Sequence, residues 1–149
     1  MLKEILGDTC IFSTEIPFTY TKYYEDEMGP EIIRMWIGYE RLSDPSELAD
    51  WKLASDKIER QLSLDNRRQV NLDPGFVSLS NVVLASLKDH PQRIPLKEGV
   101  YAEIELIYRN NSWQTTPWTY RDYSDKPAEY FLSELRDSLY HRLKMGNFI

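Results

Sequence analysis

The residues of this chain best suited to chemistry fall in four short clusters. Tyr20, Tyr23 and Tyr24 run directly into Glu25-Asp26-Glu27-Met28-Gly29, so aromatic faces are followed at once by carboxylates. Asn71-Leu72-Asp73-Pro74-Gly75 sets an acid in front of a turn sequence, and Lys88, His90 and Arg93 put three donors within six residues. Trp118, Tyr120 and Tyr123 close the set. Asp73 and Glu27 are the candidate catalytic carboxylates, Asp73 as an acid–base group or a cation ligand and Glu27, with Tyr24, to orient a bound molecule. Lys88, His90 and Arg93 suit a phosphate or carboxylate. Trp118 and Tyr120 offer faces on which a base or sugar could stack.

Each cluster also has a plain structural reading. Asp73-Pro74-Gly75 fits a type II turn, in which Pro sets φ and Gly takes a positive φ. A solvated loop accounts equally for the three basic residues, and aromatic residues commonly seal a small core. Glu103 and Glu105 project from one face of a strand and could share a divalent cation, but alternation gives the same pattern for an ordinary solvated face.

Several reaction classes lose their signatures. The chain has no G-x-x-x-x-G-K-[ST] loop, G-x-G-x-x-G fingerprint, H-E-x-x-H helix or G-x-S-x-G elbow. With only His90 and His141, and a single Cys10, a His-rich or multi-thiolate metal centre and an internal disulfide are excluded. No metal or cofactor is therefore assigned. Cys10, between Thr9 and Ile11-Phe12, reads as a small buried hydrophobe. A net charge of −6, with acids spread along the chain, argues against a nucleic-acid partner. No apolar run approaches membrane-spanning length and no signal peptide is evident, so a soluble cytoplasmic protein is expected.

These residues need elements to hold them. At 149 residues, with 42% hydrophobic and 13% aromatic content, the chain has the material for one domain and a real core. Asp44-Pro45-Ser46-Glu47 is a helix start, followed by Leu48, Trp51, Ala54, Ile58 and Leu62 at steps of three and four. A second helix begins near Pro127 and carries Ala128, Phe131, Leu132, Leu135, Leu139 and Leu143, with His141, Arg142 and Lys144 in its last turn before Gly146. Residues 100–108 alternate as a strand, with Val100, Ala102, Ile104, Leu106 and Tyr108 on one face, and turn at Asn110-Asn111 into Trp113–Thr116. Residues 10–16 and 32–39 read as two more strands. Residues 76–87 fit either period, and the stripe Phe76, Leu79, Val83, Leu87 favours a helix. The expected fold is a single α+β domain over residues 1–149: a mostly antiparallel sheet covered on one side by two or three helices.

Residues 17–29, 70–75, 99–105 and 117–123, in this order and spacing, resemble the bacterial family known as domain of unknown function 4416, over about residues 8–143. The resemblance implies no activity. Members are sometimes labelled GTP-binding, but this chain has neither a phosphate loop nor an N-K-x-D motif. Related chains open with an apolar strand and a helix. By that comparison Met1 to Leu6 is the tail of the helix, Gly7 its C-cap, and the opening strand is absent. A sheet edge beginning at Cys10 would then lie open, and a homodimer through that edge, or a shortened chain, is expected. Two functional classes follow: binding of a small anionic or nucleotide-like ligand where the four clusters meet, or a non-catalytic module that binds another protein.

Overall fold

The computed structural model describes residues 1–146, apart from the side chain of Cys10. The elements run α1 (Leu2–Leu6), β1 (Thr9–Phe12), β2 (Ile16–Pro17), α2 (Glu25–Met28), β3 (Ile33–Arg34), β4 (Ile37–Tyr39), α3 (Leu48–Gln61), β5 (Gly75–Val77), β6 (Asn81–Ser86), β7 (Ile94–Pro95), β8 (Tyr101–Arg109), β9 (Ser112–Thr115) and α4 (Lys126–Met145). Short 3-10 turns at Pro45–Glu47 and Arg121–Ser124 lead into α3 and α4. The fold is α+β, as expected, and every strand pair is antiparallel.

The centre is a five-stranded sheet of order β5-β6-β8-β7, with β9 also on β8. Because β6 occupies one edge of β8 almost throughout, β7 and β9 must share the other, β7 at residues 101–102 and β9 at 106–109. Asn110 and Asn111 take φ 52° and 60°, the left-handed pair that a two-residue hairpin demands, so the β8–β9 turn forms as read.

Residues 76–87 correct the helical expectation, because they form the β5–β6 hairpin. Ser78 Oγ accepts from the N–H groups of Ser80 and Asn81 at 3.1 and 2.9 Å, which makes a turn where a helix would have continued. Val77, Val82 and Val83 then suit a pleated strand. Gly75 lies at the start of β5 and not at a positive φ, so the type II reading fails there as well. Glycine is needed for another reason: a Cβ would stand 2.4 Å from Val83 O and 2.6 Å from a Leu84 methyl.

The helices lie on opposite faces of the sheet, which corrects the one-sided expectation. Leu48, Ala49 and Trp51 of α3 pack with Val83, Ala85 and Val100. Ala128, Phe131 and Leu132 of α4 pack with Val82, Leu84, Leu106, Trp36 and Tyr123. Each fully covered large side chain contributes about 1.5–3 kcal/mol. Asp44 caps the entry to α3, accepting from Ser46 N–H at 2.9 Å, with Pro45 in the first turn.

Strand β8 changes face midway. Val82 pairs with Leu106 but Val83 pairs with Ile104, so Glu105 is an extra residue, a β-bulge. Before it, even-numbered residues face α3; after it, Leu106 joins the α4 core. The alternation expected through Tyr108 therefore breaks at Glu105. The acidic face is not solvated, because Glu103 is 4% and Glu105 0% exposed.

The two strands expected at 10–16 and 32–39 form as an interrupted ribbon, β1 with β4 and β2 with β3. At the break, Ser13 N–H bonds Trp36 O and Trp36 N–H bonds Ser13 Oγ, at 3.0 and 2.8 Å. Helix α4 presses on this ribbon so closely that a Cβ on Gly38 would lie 2.5 Å from a Leu135 methyl. Among the described residues, β4 is the only strand partner of β1. Gly7 ends α1 with φ 92°, and the side chain of Cys10 lies outside the described residues. No helix among them is long and apolar enough to cross a membrane.

Candidate functional site

Between β7 and β9 the edge of β8 is taken by residues 116–120 acting as a strap. Trp118 Nε1 donates to Ile104 O at 3.0 Å and the Thr119 hydroxyl to Glu105 O. The strap then crosses the bulge, and Tyr120 N–H reaches Glu105 Oε2 at 2.9 Å. Glu105 Oε1 has no hydrogen-bond partner. Burial pushes the Glu105 carboxyl up to about 8. The Tyr120 N–H opposes this, and the negative charges of Glu103 and Asp122 add to it.

Beside it, the Glu103 carboxylate binds Arg93 Nε and, at 3.3 Å, Gln92 Nε2. The same guanidinium donates to Ser86 Oγ and Lys88 O, each at 2.8 Å, and to Tyr120 OH at 2.9 Å. The side chain of Arg93 is 5% exposed, so it is committed inward and is not open to an external anion. Lys88 instead sits on Tyr23, 4.6 Å above the ring and 3.2 Å from its hydroxyl. The exposed His90 enters the loop through its carbonyl, which accepts from Arg93 N–H. The three basic residues thus do not converge on one anion site.

A chain of alternating charges runs from the surface to this core. Arg68 holds both oxygens of Glu27 at 2.8 Å and reaches Glu59 at 3.2 Å and Asn71 Oδ1 at 2.9 Å. Glu59 accepts Leu72 N–H at 2.6 Å and stands 4.0 Å from Lys52, which bonds Leu72 O at 2.7 Å and lies 3.7 Å from Asp73. Asp73 also accepts from Asn71 at 2.8 Å and from Arg34 at 3.5 Å. Arg34 in turn meets Asp122 at 3.2 Å and Tyr123 OH at 3.3 Å, with its guanidinium over the Trp36 and Tyr123 rings at 5.3 and 5.5 Å. Burial raises the Asp122 carboxyl and Arg34 opposes the rise. The bidentate Arg68 holds Glu27 below the usual carboxylate range. Among the described residues no three of His, Cys, Asp and Glu gather to hold a metal. Glu103 and Glu105, the pair considered for a cation, are turned instead to Arg93 and to the strap.

Over the mouth of this core lies a tyrosine rim. Tyr23 and Tyr24 meet edge to face at 5.0 Å, Phe18 packs on Tyr20 and Tyr24, and Tyr20 donates to Asp125, which helps raise its hydroxyl to about 12. Tyr24 is raised chiefly by burial and next by the neighbouring Asp73. Tyr120 and Trp118 keep 49% and 40% of their surface exposed.

Of the residues singled out from sequence, Tyr24, Asp73, Arg93 and Tyr120 gather around one polar core. Glu27 lies further along the charge chain, Lys88 on the rim, Trp118 on the strap and His90 outside. Arg34, Lys52, Glu59, Arg68, Glu105 and Asp122 complete the arrangement and were not expected in it. A signal existed for two of them: Lys52 and Glu59, seven apart, flank Ser55 in a polar line along the buried face of α3. Glu105 had none, since the alternation of Glu103, Ile104, Glu105 and Leu106 runs through the bulge without a break.

No curated protein and no solved structure matches the chain. A family model described as a domain of unknown function, DUF4416, matches residues 1–139. With nearly the whole length aligned, from α1 through most of α4, the chain belongs to the domain of unknown function 4416 family.

Proposed function

We propose that this protein binds a small ligand with a planar ring and an anionic group at the tyrosine rim. The observation that carries the reading is the position of Lys88. Its ammonium lies on Tyr23, next to Tyr24, and meets no carboxylate among the described residues. The other cations of the site, Arg34, Lys52, Arg68 and Arg93, are each already engaged with acids. An anionic group would therefore go to Lys88, and a ring to the open faces of Tyr23 and Tyr120. Asp73, with Asn71 and Arg34 donating to Oδ2 and the Lys52 ammonium 3.7 Å from Oδ1, is better suited to fix a ligand's donor than to abstract a proton. Glu105 is the carboxyl that holds a proton near neutrality, but it lies beneath the strap at 0% exposure. These features favour binding over turnover.

A thermal-shift series with nucleoside monophosphates, sugar phosphates and inorganic phosphate tests the reading. A ligand at ten times its Kd stabilises by about 1.4 kcal/mol, or about 4–5 °C in a domain of this size. Lys88→Ala should remove that rise; no rise with any member, or an equal rise in the variant, would refute it.

The rival reading is a module that binds another protein or a second copy of itself at the β1 edge. Phe12, 58% exposed, and Tyr130, 70% exposed, flank a groove of about 290 Å³ and favour it. A dimer in sedimentation, lost in Phe12→Lys, would support that alternative.

A further inference from the structure

A second concavity, of about 530 Å³, opens between the end of α2 and the turn at residues 64–69, and no tyrosine of the rim lines it. Its floor is electrically quiet, because the Glu27 carboxylate there has both oxygens on Arg68. On one side Gly29, at φ 88°, leaves open space where a Cβ would meet nothing within 4 Å. On the other, Leu64 and Arg67 exchange two backbone hydrogen bonds of 2.9 Å around Asp65 and Asn66, at φ 50° and 60°. That two-residue geometry is tight, and it usually recruits glycine. Here both central positions carry side chains, and Arg68 ties the turn to α2 and α3 through Glu27 and Glu59.

The turn backbone that carries the groups facing the cleft is therefore fixed. The Asp65 carboxylate and the Arg67 guanidinium have no hydrogen bond or ion pair with any described residue, including each other. Leu64, 65% exposed, precedes Asp65 in the turn and lines the cleft with Met28. A simple anion would meet Arg67 but be repelled by Asp65, and a simple cation the reverse. A molecule carrying both charges satisfies both.

We propose that this cleft binds a free α-amino acid with an apolar side chain. Its carboxylate pairs with the Arg67 fork, its ammonium with Asp65, and its side chain lies along Leu64 and Met28. The site is independent of the rim ligand, so the two readings stand or fall separately.

The test is isothermal titration of the full chain with leucine, methionine and phenylalanine, and with N-acetyl-leucine and leucinamide, each of which lacks one charge. Millimolar or tighter binding of at least one free amino acid is expected, about tenfold or more weaker for both blocked forms. Arg67→Ala and Asp65→Asn should each weaken binding at least as much and leave the ligand-free melting temperature unchanged; Asn retains the left-handed backbone. Lys88→Ala should leave binding intact. No binding of any of the three amino acids, equal binding of a blocked form, or undiminished binding in the two cleft variants would overturn the proposal.

Discussion

Replacing Glu105 with Gln should make the protein more stable in mild alkali and abolish part of its pH dependence. Glu105 is 0% exposed and its Oε1 has no donor, so the ionised form lacks compensation that the protonated form does not need. Its affinity for the proton is higher folded than unfolded. The stabilisation from that proton is complete below the unfolded value of 4.5 and is lost progressively as pH rises towards about 8. Each pH unit of that window is worth up to about 1.4 kcal/mol, which sets a ceiling of about 4–5 kcal/mol for an isolated group. Sharing of charge with Glu103 and relaxation around the strap bring the expected effect down to about 2–3 kcal/mol. Gln keeps an acceptor for Tyr120 N–H and places an uncharged amide where Oε1 stands. Urea melts followed by tryptophan fluorescence, from pH 5 to pH 9, should show the two proteins within about 1 kcal/mol of each other at pH 5, with the variant ahead at pH 9. Parallel profiles, or a variant that falls further behind as pH rises, would refute the reasoning.

Gly75→Ala should cost about 1–3 kcal/mol in a denaturant melt, because the new Cβ would overlap Val83 O in the β5–β6 pair; an unchanged midpoint would mean that β5 shifts freely. Arg34→Met should cost about 3 kcal/mol by leaving the buried Asp122 without its cation, and the loss should shrink at acidic pH as Asp122 takes up a proton. Arg34→Met with Asp122→Asn should recover part of that loss, and a purely additive double variant would show that the pair is not coupled. Lys88→Ala should leave ligand-free stability within about 0.5 kcal/mol, since the lysine rests on an exposed ring, and a larger loss would assign Lys88 to the scaffold.

The sequence was most legible where local physics decides. The stripe from Leu48 to Ile58 and the run from Ala128 to Leu135 bury as helices because their period matches the turn of the backbone. The Asn110-Asn111 pair makes its hairpin because both residues tolerate left-handed φ. Residues 76–87 were misread because their apolar spacing fits both periods, and the choice was made by pairing with β8 some twenty residues away. The site was half legible. Tyr24, Asp73, Arg93 and Tyr120 stood out as types that do chemistry, and they gather. Arg34 comes from a strand whose apolar neighbours disguised it, while Lys52 and Glu59 showed themselves only by their place on the buried face of α3, and a charge in such an element reveals its burial only when the opposite charge arrives from elsewhere in the chain.

The bulge at Glu105 makes β8 a strand written in two frames. Up to Ile104 the odd positions look towards α4, and from Leu106 the even positions do. Deleting Glu105 would join the frames into one. Ile104 would still face α3 and Leu106 would still face α4, since neighbours on a regular strand look opposite ways; what would go is the anchor of the strap, Glu105 O for the Thr119 hydroxyl and Glu105 Oε2 for Tyr120 N–H. Substitutions at Glu105 alter chemistry and leave the count intact. Loss of Glu105 should therefore keep both cores and free the strap, whereas loss of a residue from the regular part of β8 would turn one stretch of the strand to the wrong face and should be far less tolerable.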